Sequence, residues 1–107
     1  VILPVPCDNS RPSWFGFLIT CRDGVDRNQI VQQIEARGVQ TRMLFAGNLT
    51  KHPCFDQMRA TGKGYRIAGT LENTDRIMRD TFWIGVYPGM TDEMLQAMAD
   101  AIKDALN

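Results

Sequence analysis

Within Phe82 to Thr91 the chain switches from a two-residue apolar repeat to a helical one. Phe82, Ile84 and Val86 alternate with Trp83, Gly85 and Tyr87, the period of a strand that turns one face to a core. Pro88-Gly89 closes that strand. Thr91 then supplies a helix cap with Asp92 and Glu93 in the first turn, and Met94, Leu95, Met98, Ile102 and Leu106 recur along one side as a core-facing stripe. A strand and a helix that each carry an apolar face must bury those faces, and in a short chain the economical solution is to pack helices onto a small sheet.

The rest of the chain fits that solution. Asp26 followed by Gln29 has the form of a capping box, Ile30, Val31 and Ile34 make one stripe, and Gly38 stands where a left-handed cap would end a helix over 27–37. Trp14 to Thr20 and Val39 to Leu44 read as strands on either side of it. Phe45 to Thr50 has neither period and reads as a loop. Pro53 can open a short helix reaching about Arg59, Thr61 to Gly69 is a glycine-rich loop, and Asn73 or Thr74 can cap another short helix ending at Arg79. The expected class is α+β, a small, mostly antiparallel sheet of three to four strands covered by helices on one face. Residues 1–13, with Pro4, Pro6 and Pro12, read as a linker, and 14–107 as one domain. The opening Val1-Ile2-Leu3-Pro4 reads as the continuation of a longer polypeptide.

Composition narrows the partners. Twelve basic residues balance twelve acidic ones, so no overall field favours nucleic acid or an anionic membrane. The longest apolar run, Trp14 to Ile19, falls far short of the roughly 18 residues needed to span a bilayer. Cys7, Cys21 and Cys54 lack both disulfide and metal-site spacing, which points to a reducing cytoplasm and to no metal site in this chain. His52 has no partner at ligand spacing, and no serine or cysteine is matched with a base, so no catalytic residue is assigned. Nine of the twelve cations are arginines, whose planar fork suits phosphate and carboxylate. Two segments carry more chemistry than packing requires: Thr41 to Thr50, with Arg42, Phe45 and Asn48, and Asn73-Thr74-Asp75-Arg76 at a helix start.

Gly38-Val39-Gln40-Thr41-Arg42, Phe45, Pro53, Phe55 and Tyr87-Pro88-Gly89-Met90-Thr91 together resemble the C-terminal domain of the fold-type I sugar aminotransferase and dehydratase family. Where ordinary aminotransferases of that family carry a histidine-tyrosine-x-proline-leucine-histidine pattern, this chain reads Leu44-Phe45-Ala46-Gly47-Asn48-Leu49. Pro12 to Phe17, Thr41 to Thr50 and Asn73 to Met78 are similar to the branch of the family that dehydrates CDP-4-keto-6-deoxyglucose at C3 for lipopolysaccharide O-antigen.

The resemblance implies a homodimeric enzyme using pyridoxamine or pyridoxal phosphate and a [2Fe-2S] cluster, served by a flavin/iron-sulfur reductase. It also implies that a large domain outside this chain holds the cofactor, the cluster and a histidine in place of the usual lysine. This chain alone would then be inactive, contributing Arg76, Asn48, Arg42, Phe45 and Phe15 to the cleft. The alternatives are the small domain of a nucleotide-sugar aminotransferase and a free-standing ligand-binding α+β module.

Overall fold

The computed structural model describes residues 1–107. Three strands, β1 (Gly16–Thr20), β2 (Thr41–Met43) and β3 (Thr81–Gly85), form one sheet in the order β1-β3-β2, with β3 antiparallel to both neighbours. Four α-helices accompany it: α1 (Arg27–Ala36), α2 (Asp56–Thr61), α3 (Glu72–Asp80) and α4 (Asp92–Ala105). The α+β class, the antiparallel sheet and its helical cover are as the sequence predicts.

The register assigns the two faces. Ile19 pairs with Phe82 and Phe82 with Met43, while Phe17 pairs with Ile84 and Ile84 with Thr41. Side chains directly opposite one another share a face. On this face Ile19, Phe82 and Ile84 meet Ile30, Val31 and Ile34 of α1 and Ala105 of α4, with Cys21 closing the cluster. Asp26 caps α1 by accepting from the Asn28 and Gln29 amides, and Thr91 caps α4 by accepting from the Met94 amide. Both caps satisfy donors that helix starts leave unpaired.

Several boundaries differ from the sequence expectation, each for a local reason. All three strands are shorter than expected: β1 pairs with all five residues of β3, and β2 pairs with only three of them. Trp14 and Phe15 therefore precede β1, and Val86 and Tyr87 follow β3. Neither Asn73 nor Thr74 caps α3: that helix begins at least two residues earlier, from Leu71 in a left-handed conformation (φ 60°), and has no side-chain cap. The α4 stripe also divides. Met98, Ala101, Ile102 and Ala105 reach the core, whereas Met94, Leu95 and Leu106 are exposed. Met94 lies instead in a shallow groove of about 550 Å³ with Val39, Val86, Tyr87 and Met90, beyond the end of β3 where no second layer covers the helix. In the lead-in, Ile2 bridges to Thr20 and Val1 packs against the core.

The molecule is extended for its length. Its radius of gyration is 16.9 Å, against about 13 Å for a compact chain of this size. Its surface of 8046 Å² exceeds by about 2,000 Å² the roughly 6,000 Å² expected for a compact 12.1 kDa monomer. That excess is of the size one partner buries in a large, stable interface.

The core is small and rests on one ring. Phe82, fully buried in the central strand, loses about 3–5 kcal/mol on truncation to alanine by the usual cavity cost. Phe82→Ala is expected to abolish the cooperative urea transition seen by circular dichroism, and a transition retained near the wild-type midpoint would contradict this core.

Candidate functional site

Opposite the core, the same register gathers Leu18, Trp83 and Arg42 in one cross-strand row on the open face of the sheet. The Trp83 ring lies flat against Gly16, where a Cβ would come within 2.8 Å of indole Cδ2. Its Nε1–H donates to the Met43 carbonyl at 3.1 Å, so the ring is fixed at both ends. Phe15 and Phe45 stack beside it with ring centroids at 5.4 Å and 6.5 Å. Together with Trp14, Leu18 and Leu44 they surround an open apolar hollow of about 200 Å³. Phe15 is 78% exposed and Phe45 77%, so the aromatic surface faces outward rather than plugging the core. Arg42, next to Trp83 in the row, is exposed and makes no ion pair.

Phe45 reaches this position through a strained turn. Its φ is +48°, a region that non-glycine residues rarely adopt, and its amide donates to the Met43 carbonyl at 2.8 Å. Two residues later Gly47 also has positive φ (+63°), and a Cβ there would lie 2.6 Å from Met78 Cγ. Glycine is required at this approach both for its conformation and for its lack of a side chain. His52 Nε2 bonds the Ala46 carbonyl at 2.6 Å, so the only histidine supports the loop.

Asn48 is buried (3% exposed). Its Nδ2 donates to Asp75 Oδ1 at 2.7 Å, and its Oδ1 accepts from the Thr50 amide and hydroxyl at 3.0 and 2.6 Å. Its hydrogen bonding is thus directed into the fold. Lys51 Nζ lies 2.9 Å from the other Asp75 oxygen. The Asn48 amide, then Lys51, hold the Asp75 carboxyl below the ordinary aspartate range. Arg76 points elsewhere, toward Asp23 in the loop after β1, at 3.7 Å and well exposed. Of the five residues the sequence singles out, Phe15, Arg42 and Phe45 converge on one face, and Asn48 and Arg76 lie outside that cluster.

The sequence marks Trp14 and Trp83 as candidates for exposed apolar surface that a larger partner would cover, but gives no signal that Trp83 centres the row, and none for Met78. The contact between Met78 and Gly47 spans 31 positions of the chain and follows no short-range pattern.

Two cofactor classes can be tested against these residues. The three cysteines stand apart, Cys21 in the core and Cys7 and Cys54 exposed, and no group of three or more His, Cys, Asp or Glu is placed to hold a metal. Burial pushes the Cys21 thiol up, away from the thiolate that ligation needs. The chain's own residues therefore do not fit an iron-sulfur cluster. Nor does the aromatic face present an amine or imidazole to a pyridoxamine phosphate, since Lys51 is held by Asp75 and His52 by Ala46. No helix is long and apolar enough to cross a membrane.

Residues 1–103 match the model of the DegT/DnrJ/EryC1/StrS aminotransferase family. The chain belongs to that family. Among curated members it is 45% identical over 106 residues to the dTDP-4-dehydro-2,6-dideoxy-D-glucose 3-dehydratase of Saccharopolyspora spinosa, covering 97% of this chain and 22% of that protein. It is 44% identical over 104 residues to the lipopolysaccharide biosynthesis protein RfbH of Salmonella typhimurium, covering 95% of this chain and 23% of that one. The chain thus spans less than a quarter of the length of these relatives. In fold, the E. coli GDP-4-keto-6-deoxy-D-mannose-3-dehydratase with bound hydrated PLP superposes with a TM-score of 0.68 at 20% identity, over 98% of this chain and 25% of the other. A further GDP-4-keto-6-deoxymannose-3-dehydratase structure gives 0.65 at 22% identity, over 94% of this chain and 25% of the other.

The geometry separates residues that hold the fold from residues presented on it. Phe15→Ser and Phe45→Ser are expected to change unfolding free energy by less than about 1 kcal/mol, as for exposed positions. Asn48→Ala, which strands the Thr50 amide and the Asp75 oxygen, is expected to cost about 1–3 kcal/mol. Urea titrations of the three variants check this, and a reversed order would show that the aromatic face is part of the core.

Proposed function

We propose that this chain is the small domain of a pyridoxamine-phosphate-dependent nucleotide-sugar 3-dehydrase, closing over a site held mainly by a larger domain. The observation that carries the reading is the uncovered aromatic row of Phe15, Trp83 and Phe45 with an unpaired Arg42 at its edge. A soluble monomer seldom leaves a contiguous apolar patch open unless a partner or ligand covers it. The excess surface argues the same way, and both curated relatives exceed this chain fourfold in length.

The substrate assigned is CDP-4-keto-6-deoxyglucose, and the product class is the 3,6-dideoxyhexose of lipopolysaccharide O-antigen. The 3-dehydratase and lipopolysaccharide names of the two relatives near 45% identity support the reaction and product class, while the CDP sugar rests on the resemblance of Thr41 to Thr50 and Asn73 to Met78. The Leu44 to Leu49 stretch supports it too, because it lacks the histidines and tyrosine expected of ordinary transamination. When bound, pyridoxamine phosphate supplies the electron sink that makes loss of the sugar C3 hydroxyl possible. The complete enzyme is read as a cytoplasmic homodimer, with a [2Fe-2S] cluster outside this chain and a flavin/iron-sulfur reductase as electron donor.

The part played by this chain's residues is to bind, orient and exclude water. Arg42 offers a planar fork to a phosphate or sugar oxygen. Phe15, Phe45 and Trp83 displace water from beside the reacting sugar, which strengthens every polar contact made there. Arg76, held only by a long ion pair to the exposed Asp23, is free to exchange that partner for an anionic group across the cleft. Asn48 contributes by shaping the loop that carries Phe45.

In the complete protein, Arg42→Ala and Arg76→Ala are each expected to lower kcat/KM for sugar dehydration by about 10- to 100-fold, the loss of one charge-assisted hydrogen bond. Loss of the C3 hydroxyl is followed by mass spectrometry of the nucleotide sugar. Unchanged kinetics in both variants would remove these arginines from the site. A lysine at the cofactor-binding position outside this chain, with amino transfer in place of dehydration, would favour the aminotransferase reading.

A further inference from the structure

The aromatic face depends on a loop that would not hold its shape alone, and the structure shows what holds it. Phe45 sits in a left-handed conformation, followed at once by Ala46 and the tightly approached Gly47. Such a conformation costs about 1–3 kcal/mol and persists only where its surroundings enforce it. β2 is three residues long and ends at Met43, so the sheet cannot enforce it beyond that point.

What remains is α3. From its first turn, Asp75 receives Asn48 Nδ2 on one carboxylate oxygen at 2.7 Å and Lys51 Nζ on the other at 2.9 Å. One turn further on, Met78 packs against Gly47 and its sulfur accepts the Asn48 amide at 3.3 Å. Asp75 and Met78 lie three residues apart, on one side of the helix. The helix in turn runs directly into β3 through Asp80 and Thr81, the strand that carries Trp83. The two halves of the aromatic face, Trp83 from the strand and Phe45 from the loop, are therefore set relative to each other by one rigid helix-strand unit.

We propose that Asp75 is a positioning residue, which ties the Phe45 to Lys51 loop to α3 and so fixes the aromatic face against Trp83. This rests on the reading of that face as the surface that closes over the site. Asp75 touches neither Phe45 nor Arg42 and acts through Asn48 and Lys51. Its charge is what lets one side chain hold both partners. Lys51 comes to it from the turn after Asn48, Arg79 is the further cation on its own helix, and Asn48 is the neutral donor. The lowered carboxyl pKa fixes the sign of the pH dependence. The tie is complete above the ordinary aspartate range and is lost as pH falls through the lowered value.

Hydrogen–deuterium exchange of the complete protein, read by mass spectrometry, tests the tie without reference to activity. In Asp75→Ala, peptides covering 44–52 are expected to exchange about tenfold faster, while β1 and β3 keep wild-type rates. Asp75→Asn keeps an oxygen for Asn48 Nδ2 but loses the Lys51 pair, and is expected to restore about half of that protection. If Asp75→Ala does not fold, Asp75→Asn carries the test alone, with 44–52 at least about twofold faster and the strands unchanged. Wild-type exchange at 44–52, or acceleration spread equally over the strands, would overturn the proposal. A selectively loosened loop with undiminished dehydration would leave the tie standing and refute the reading of the aromatic face.

Discussion

The structure depends on the position of β3 between two antiparallel partners. Every other feature inherits its orientation from that one strand. Its even-numbered residues, Phe82 and Ile84, point into the helical layer and build the core, and its odd-numbered Trp83 points out and anchors the aromatic row. Because side chains alternate strictly along a strand, a slip of one residue would expose Phe82 and bury the site. Core and candidate site are the two sides of a single register, which Thr20 and Thr81 reinforce through a hydroxyl pair at 2.9 Å.

This arrangement explains why the molecule is stable on one side and unfinished on the other. Two capped amphipathic helices saturate the inner face. The outer face presents Phe15, Phe45 and Trp83 with no layer above them. A sheet covered on one face is stable when its other face is polar, as antiparallel sheets commonly are. Here that face is aromatic, and the proposed function reads it as a surface made to be covered by a larger neighbour. The chain spans less than a quarter of the length of its curated relatives.

Much of the inner half was legible in the sequence, because short-range signals specify it. Asp26, Gly38 and Thr91 mark helix ends by local chemistry, and the two-residue period of Phe82 to Val86 marks the strand and its sides. The candidate site was legible only as a collection of residues. Phe15, Arg42 and Phe45 meet because β1 and β2 both flank β3, an order that no spacing along the chain reveals. Asn48 has the composition of a ligand-binding side chain, and the fold turns it inward. The role of Asp75 depends on an approach across 27 positions and on a helix that starts from a left-handed leucine, which no capping rule anticipates. The exposed Met94 and Leu95 mark the same limit, since helical periodicity identifies an apolar side but not how far the second layer extends over it.

The central claim is that the outer sheet face is made to be covered, and the environment of Trp83 reports on it directly. With a fluorine label on the Trp83 indole, the solvent isotope shift between H2O and D2O is measured for residues 1–107 alone and for the complete protein. The account predicts a large shift in the isolated chain and a small one in the complete protein, where the face is closed. Equal, large shifts in both would show that the aromatic row stays open to water, and would contradict the account.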